Sequence, residues 1–204
     1  MLKAVIFDLD GVIADSHPIH EAAWTTLFAE QGFDPEKMNL DFLYAGQPRG
    51  EIFRHFLGEL AAAGIAMAVG TSAQRRRTLE TLDHFRIAER FGAVVTGDDV
   101  GATKPAPEIF LRAAELVHAA PTDTVVVEDS PVGVEAARAA KMKCVGYAPA
   151  ERIDELRRAG ADDTILEFPA RAAEYFTHIV ALDSTSKTSR NPSARIAGHR
   201  VKGV

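Results

Sequence analysis

The sequence predicts an α/β fold, a doubly wound parallel sheet with a small helical insertion after its first strand. Three observations predict it. Short apolar runs recur at 2–7, 66–69, 93–96, 124–127 and 143–147, each followed by a turn-forming or polar segment. Segments of helical length lie between them, near 73–85, 106–118 and 131–140. Strands alternating with helices of about 10–15 residues form right-handed βαβ units and a parallel sheet. The polar residues gather at the carboxyl ends of four of the runs, the edge at which open α/β sheets bind ligands.

Taken in order, the run LKAVIF reads as a strand buried on both faces and stops at Asp8-Leu9-Asp10-Gly11. The alternation then breaks. Ile19, Ala23 and Leu27 keep a spacing of four, as do His20, Trp24 and Phe28, so the insertion begins with an amphipathic helix that Gly32 ends. A second helical stretch is expected from 49 to 57. The later runs end at Gly70-Thr71-Ser72, Gly97-Asp98-Asp99, Glu128-Asp129-Ser130 and Ala148-Pro149. A last helix is expected over 170–179. The expected organisation is a core of 1–14 and 59–182, an insertion of 15–58, and a basic, unstructured tail of 183–204.

Composition narrows the function. The chain has 204 residues, 23 Lys+Arg and 29 Asp+Glu, for a formal charge of −6. Five of the basic residues lie beyond Asp183, where there is no acid, so residues 1–183 carry 18 bases against 29 acids, a charge of −11. An acidic body argues against nucleic acid as a partner. The single cysteine, Cys144, excludes an intrachain disulfide, and the longest uncharged stretch, 60–74, is too short to span a bilayer. The expectation is a cytoplasmic protein without a membrane partner.

Each strand-end cluster has a bland reading. Asp8 and Asp10 before Gly11 could be turn chemistry, and Glu128-Asp129-Ser130-Pro131 a helix cap. Thr71-Ser72 could likewise cap a helix, and Lys104-Pro105 could be a rigid connector. At one sheet edge they also make a phosphoryl-transfer site. Asp8, Asp10, Glu128 and Asp129 cannot all stay ionised together without a counter-cation. Oxygen ligands alone favour a hard ion, so Mg²⁺ is the expected cofactor. Thr71, Ser72, Lys104 and the amides around Gly11 can serve the phosphate oxygens. One carboxylate can attack phosphorus while a second moves a proton.

Together F-D-L-D-G-V-I-A-D-S, V-G-T-S, K-P-A-P-E-I-F and V-V-V-E-D-S-P-V-G-V-E-A-A resemble the haloacid dehalogenase superfamily, within it the β-phosphoglucomutase-like phosphatases and mutases. The resemblance covers residues 1–166 and implies a Rossmann-like core with a helical cap. It implies Asp8 as nucleophile, Asp10 as general acid/base, and Thr71 and Lys104 as holders of the phosphoryl group. Asp8, Asp129, the backbone carbonyl of Asp10 and the neighbouring Glu128 would bind the metal. His20 and Arg49 match cap positions that face the substrate in sugar-phosphate members. His20 could equally be a core histidine, and Trp24 is read as cap packing. The Lys104-Pro105 bond is expected to be cis.

Two departures from the family pattern stand out. The insertion has room for about half of the usual four-helix cap. Lys141 stands where relatives often carry Gly, and would strain a left-handed helix end. A mutase must exclude water from its phosphoaspartate, so the short cap favours hydrolysis of a small phosphorylated metabolite by a monomer or weak homodimer. A β-phosphoglucomutase-type phosphomutase is the alternative. A catalytically weak binding or regulatory protein is the alternative of another class. Asp10 argues against a dehalogenase, and Arg49, which cannot deprotonate, against a phosphonatase lysine.

Overall fold

The structure, a computed structural model, describes residues 1–14, 50–169 and 171–182. His20, Trp24 and Arg49 of the expected insertion, and the whole basic tail, lie outside the described residues.

Strands β1 (Ala4–Phe7), β2 (Ala66–Gly70), β3 (Ala93–Val95), β4 (Thr124–Glu128), β5 (Lys143–Tyr147) and β6 (Asp163–Ile165) form one six-stranded parallel sheet. Its order is β3-β2-β1-β4-β5-β6. The described helices are α1 (Gly50–Ala62), α2 (Arg75–His84), α3 (Glu108–Leu116), α4 (Pro131–Ala139), α5 (Ile153–Ala159) and α6 (Ala172–Ala181). Alternate residues of β1 point to opposite faces. Val5 and Phe7 join an apolar cluster with residues of α1, α2 and α6, and Ile6 joins one with residues of α3, α4 and α5. Both faces are therefore covered, which is why the strands read as continuous apolar runs rather than alternating ones. The sheet is doubly wound, as expected. The three-residue β6 and the short α5 went unread in the sequence.

The order places a topological switch point at β1, which has β2 on one side and β4 on the other. The crevice beyond the carboxyl ends of these strands is where a ligand site forms in such sheets. An aromatic cluster secures β1 just before it ends. Phe7 makes edge contacts with Phe53, Phe56 and Phe91 at 5.7, 5.9 and 6.2 Å between centroids.

Residues 50–58 were expected in the insertion, but Phe53, Phe56, Leu57 and Leu60 of α1 are buried in the same cluster as Val5 and Phe7. Their spacing puts them on one helical face, and that face meets the sheet. From Phe53 on, α1 therefore packs against the sheet.

Helix α4 is C-capped by Ala140, and the next residue, Lys141, has φ 59°. Its N–H donates to the Arg138 carbonyl, and the Met142 N–H to the Ala137 carbonyl, both at 2.9–3.0 Å, so the left-handed turn is required. A side chain in that conformation is strained by about 1–2 kcal/mol relative to glycine. Lys141→Gly is accordingly expected to stabilise the fold by about 1 kcal/mol, as measured by urea unfolding. A loss of stability would contradict the strain argument.

Candidate active site

Asp8 follows β1 directly, and its N–H donates to the Val127 carbonyl of β4 at 3.0 Å. The chain then turns through Gly11, at φ 73°, and closes with Gly11 N–H donating to the Ala14 carbonyl at 2.8 Å. This glycine is needed for the positive φ. The turn leaves Asp8 buried and Asp10 at the rim, with side chains 8% and 31% exposed.

Lys104 reaches the crevice from the loop before α3, and the bond that follows it, Lys104-Pro105, is cis. Its Nζ donates to Asp8 Oδ1 at 2.5 Å and to Glu128 Oε1 at 2.6 Å. It also stands 4.8 Å over the Phe110 ring. Glu128 ends β4, and its other oxygen accepts from the Ser130 N–H at 2.7 Å and the Ser130 hydroxyl at 2.9 Å. Ser130 in turn caps α4 by accepting the Gly133 N–H. The cap reading and the site reading of Glu128-Asp129-Ser130-Pro131 therefore hold at once. Thr71 is buried at the end of β2, where its hydroxyl accepts the Ala73 N–H at 3.1 Å, while Ser72 is exposed.

Carboxylate oxygens of Asp8, Glu128 and Asp129, all buried, lie within 4.8 Å of one another. An oxygen-only set of this charge suits a hard divalent cation. The Asp10 carboxylate is not part of that group. Arg77 holds it by both oxygens, with Nη1 to Oδ2 at 3.0 Å and Nη2 donating to Oδ1. Any contribution of Asp10 to a metal would be through its backbone carbonyl, the atom the resemblance singled out.

Burial governs the electrostatics. It pushes the Asp8 carboxyl up to about 7, with Lys104 opposing the rise and Glu128 adding to it. Asp129 is raised well above the usual carboxylate range for the same reason, with Glu128 and Asp8 as like charges nearby. Burial alone would lower Lys104, but Asp8 and Glu128 outweigh it and hold its ammonium above the ordinary value. Among the described residues, Lys104 and Arg152 stand against these three acids; Arg152 lies 3.7 Å from the Asp129 carboxylate, and its Nη2 donates to the Asp129 carbonyl at 3.1 Å.

Of the residues expected at the site, the fold brings Asp8, Asp10, Gly11, Thr71, Ser72, Lys104, Glu128 and Asp129 to the carboxyl edge of β1, β2 and β4. His20 and Arg49 lie outside the described residues. Arg77 and Arg152 were missed. The signal for the first was present: Arg75-Arg76-Arg77 opens α2, where the helix dipole disfavours cations.

A buried lysine thus bridges two carboxylates at the switch point of a doubly wound parallel sheet, the place where such sheets bind ligands. The chain belongs to the haloacid dehalogenase-like hydrolase family, whose model matches residues 50–147. It is 31% identical to the fructose-1-phosphate phosphatase YqaB of Escherichia coli over 176 residues, covering 69% of this chain and 94% of that protein. It is 29% identical to the β-phosphoglucomutase of Mycobacterium tuberculosis over 236 residues, covering 81% of this chain and 90% of that one. Among solved structures, a β-phosphoglucomutase from Clostridium difficile shares the fold, with a TM-score of 0.68 at 21% identity over 89% of this chain and 98% of that one.

Proposed function

We propose that this chain is a Mg²⁺-dependent phosphatase that hydrolyses a small sugar-phosphate-type metabolite through a phosphoaspartyl intermediate on Asp8. Its membership of the family makes it an enzyme of the phosphatase or phosphomutase class. The observation that carries the finer reading is Lys104 bridging Asp8 and Glu128 in the crevice, with Asp10 at the rim.

In the proposed reaction, Asp8 Oδ attacks phosphorus as the ester P–O bond breaks. Asp10 delivers a proton to the departing oxygen. Asp10, then a carboxylate, takes a proton from the water that attacks phosphorus, the P–O bond to Asp8 breaks, and inorganic phosphate leaves. Lys104 keeps Asp8 oriented and, with Thr71, balances charge on the phosphoryl oxygens. Ser72 and the Gly11 amide serve the remaining oxygens, and His20 and Arg49 would meet the rest of the substrate. Asp8, Glu128, Asp129 and the Asp10 carbonyl would hold Mg²⁺, which supplies Lewis-acid stabilisation of the phosphoryl charge.

A phosphomutase is the second reading, because β-phosphoglucomutases are among the relatives. Hydrolysis is favoured by the short insertion. The 176-residue alignment with the Escherichia coli phosphatase takes only 69% of 204 residues, so it contains positions for which this chain has none. A reduced cap shields the phosphoaspartate less from water. We further propose a cytoplasmic monomer or weak homodimer; among the described residues no helix is long and apolar enough to cross a membrane.

The test is phosphate release from a panel of sugar phosphates, with and without Mg²⁺. Release from at least one ester, lost on chelation, is expected. Conversion of β-glucose-1-phosphate to glucose-6-phosphate faster than phosphate release would favour the mutase. A chain inert to the whole panel would favour a binding protein.

A further inference from the structure

We propose that Arg77 is a positioning residue that holds Asp10 in place for its proton transfers. The proposal rests on the phosphatase reading above and concerns how the chain controls its acid/base group.

The contact spans 67 residues of sequence, from the second residue after the opening of α2 to the turn after β1. Both Asp10 oxygens are engaged by the two terminal nitrogens of one guanidinium. A planar fork of this kind fixes the plane of a carboxylate as well as its distance, which a lysine cannot do. Asp10 needs that constraint. It stands at the rim on a turn closed by a left-handed glycine, with its side chain 31% exposed, whereas Asp8 is buried and anchored by Lys104.

Arg77 has a firm base from which to act. The Arg75 N–H donates to Asp98 Oδ2 at 2.8 Å, and the Arg75 guanidinium to Asp99 Oδ2 at 2.7 Å, so the start of α2 is tied to the turn after β3. The same connection from β2 to α2 carries Thr71. One segment thereby sets both the residue beside the phosphoryl group and the grip on the acid/base residue.

Stability does not account for the arrangement. Three consecutive arginines at a helix N-terminus oppose the dipole, and a pair as exposed as this one, with the Arg77 side chain 40% exposed, adds little in return. Arg76 has its own explanation in a surface pair with Glu80 one turn on, and Arg75 in the tie to Asp99. Arg77 alone among the three points back to the catalytic turn. It neither gains nor loses a proton in the reaction; its role is exerted on Asp10.

The experiment compares Arg77→Met and Arg77→Lys with wild type on two substrates. One is a sugar phosphate that the wild type turns over, whose leaving oxygen needs a proton. The other is p-nitrophenyl phosphate, whose leaving group does not. Arg77→Met is expected to lower kcat on the sugar phosphate by about tenfold or more, within the range that acid/base catalysis supplies, with KM little changed. The p-nitrophenol burst should fall much less, and Arg77→Lys should recover only part of the loss. With p-nitrophenyl phosphate in an Asp10→Asn background, Arg77→Met should cause no further loss. A raised KM with unchanged kcat, equal loss on both substrates, or full additivity with Asp10→Asn would overturn the role of Arg77. A wild type inert to both esters would instead overturn the phosphatase reading, and this role with it.

Discussion

Asp8→Asn is expected to reduce phosphate release to background while leaving the chain folded. The amide is nearly isosteric with the carboxylate and can still accept from Lys104, but it cannot form the acyl phosphate. The electrostatics give this variant a second signature. Burial holds the Asp8 carboxyl at about 7 in the folded chain against an ordinary 3.8. Between those values the folded chain binds more protons than the unfolded one, so the Asp8 contribution makes stability fall as pH rises through the window. Removing the titrating group removes that contribution. The metal-free variant should therefore lose less stability than wild type between pH 4 and 7, as read by thermal unfolding at several pH values. Residual turnover above a few per cent would remove Asp8 from the role of nucleophile, whatever the stability data show.

Gly133→Ala should be nearly as damaging, against the usual trend for helices. In a helix interior, alanine is ordinarily the better residue by about 1 kcal/mol. Here a Cβ at position 133 would fall inside contact distance of the Glu128 carboxyl carbon and both its oxygens. Glu128 cannot step aside cheaply. It is fully buried and holds Lys104 at 2.6 Å and the Ser130 N–H at 2.7 Å. Displacing it takes from the buried Lys104 ammonium one of its two carboxylate partners, leaving Asp8, and breaking a buried pair costs up to about 3–5 kcal/mol. We expect a destabilisation of about 3 kcal/mol by denaturant unfolding, a weaker stabilisation by added Mg²⁺, and loss of most activity. An unchanged unfolding midpoint would mean that Glu128 has another place to go.

These two sites differ in how far the sequence exposed them. Asp8, Asp10, Thr71, Glu128 and Asp129 were legible because each lies at the end of an apolar run, and the strand pattern sends those ends to one edge; Lys104, in a connecting loop, was legible only from the Lys104-Pro105-Ala106-Pro107 motif. The close fit of Gly133 under Glu128 was not legible. It depends on the curl of the β4–α4 connection, which returns the first turn of the helix over the carboxylate. Arg77 was hidden differently: its partner is 67 residues away, and local pattern does not record which distant charge a side chain meets. Helix α1 was half-read. A helical stretch over 49–57 was expected, but nothing local said whether it would cover the sheet or the insertion.

The sequence by itself determined the alternation of strands and helices, the position of the acidic turns, and the chemistry those turns could support, because periodicity and turn preference are local properties. The tertiary structure decided the pairings: Lys104 between Asp8 and Glu128, Arg77 on Asp10, Arg152 on Asp129, and Phe53 and Phe56 against Phe7. Each is a contact through space between elements remote in the chain. Its energy depends on distance and burial, which exist only once the sheet has closed around its switch point.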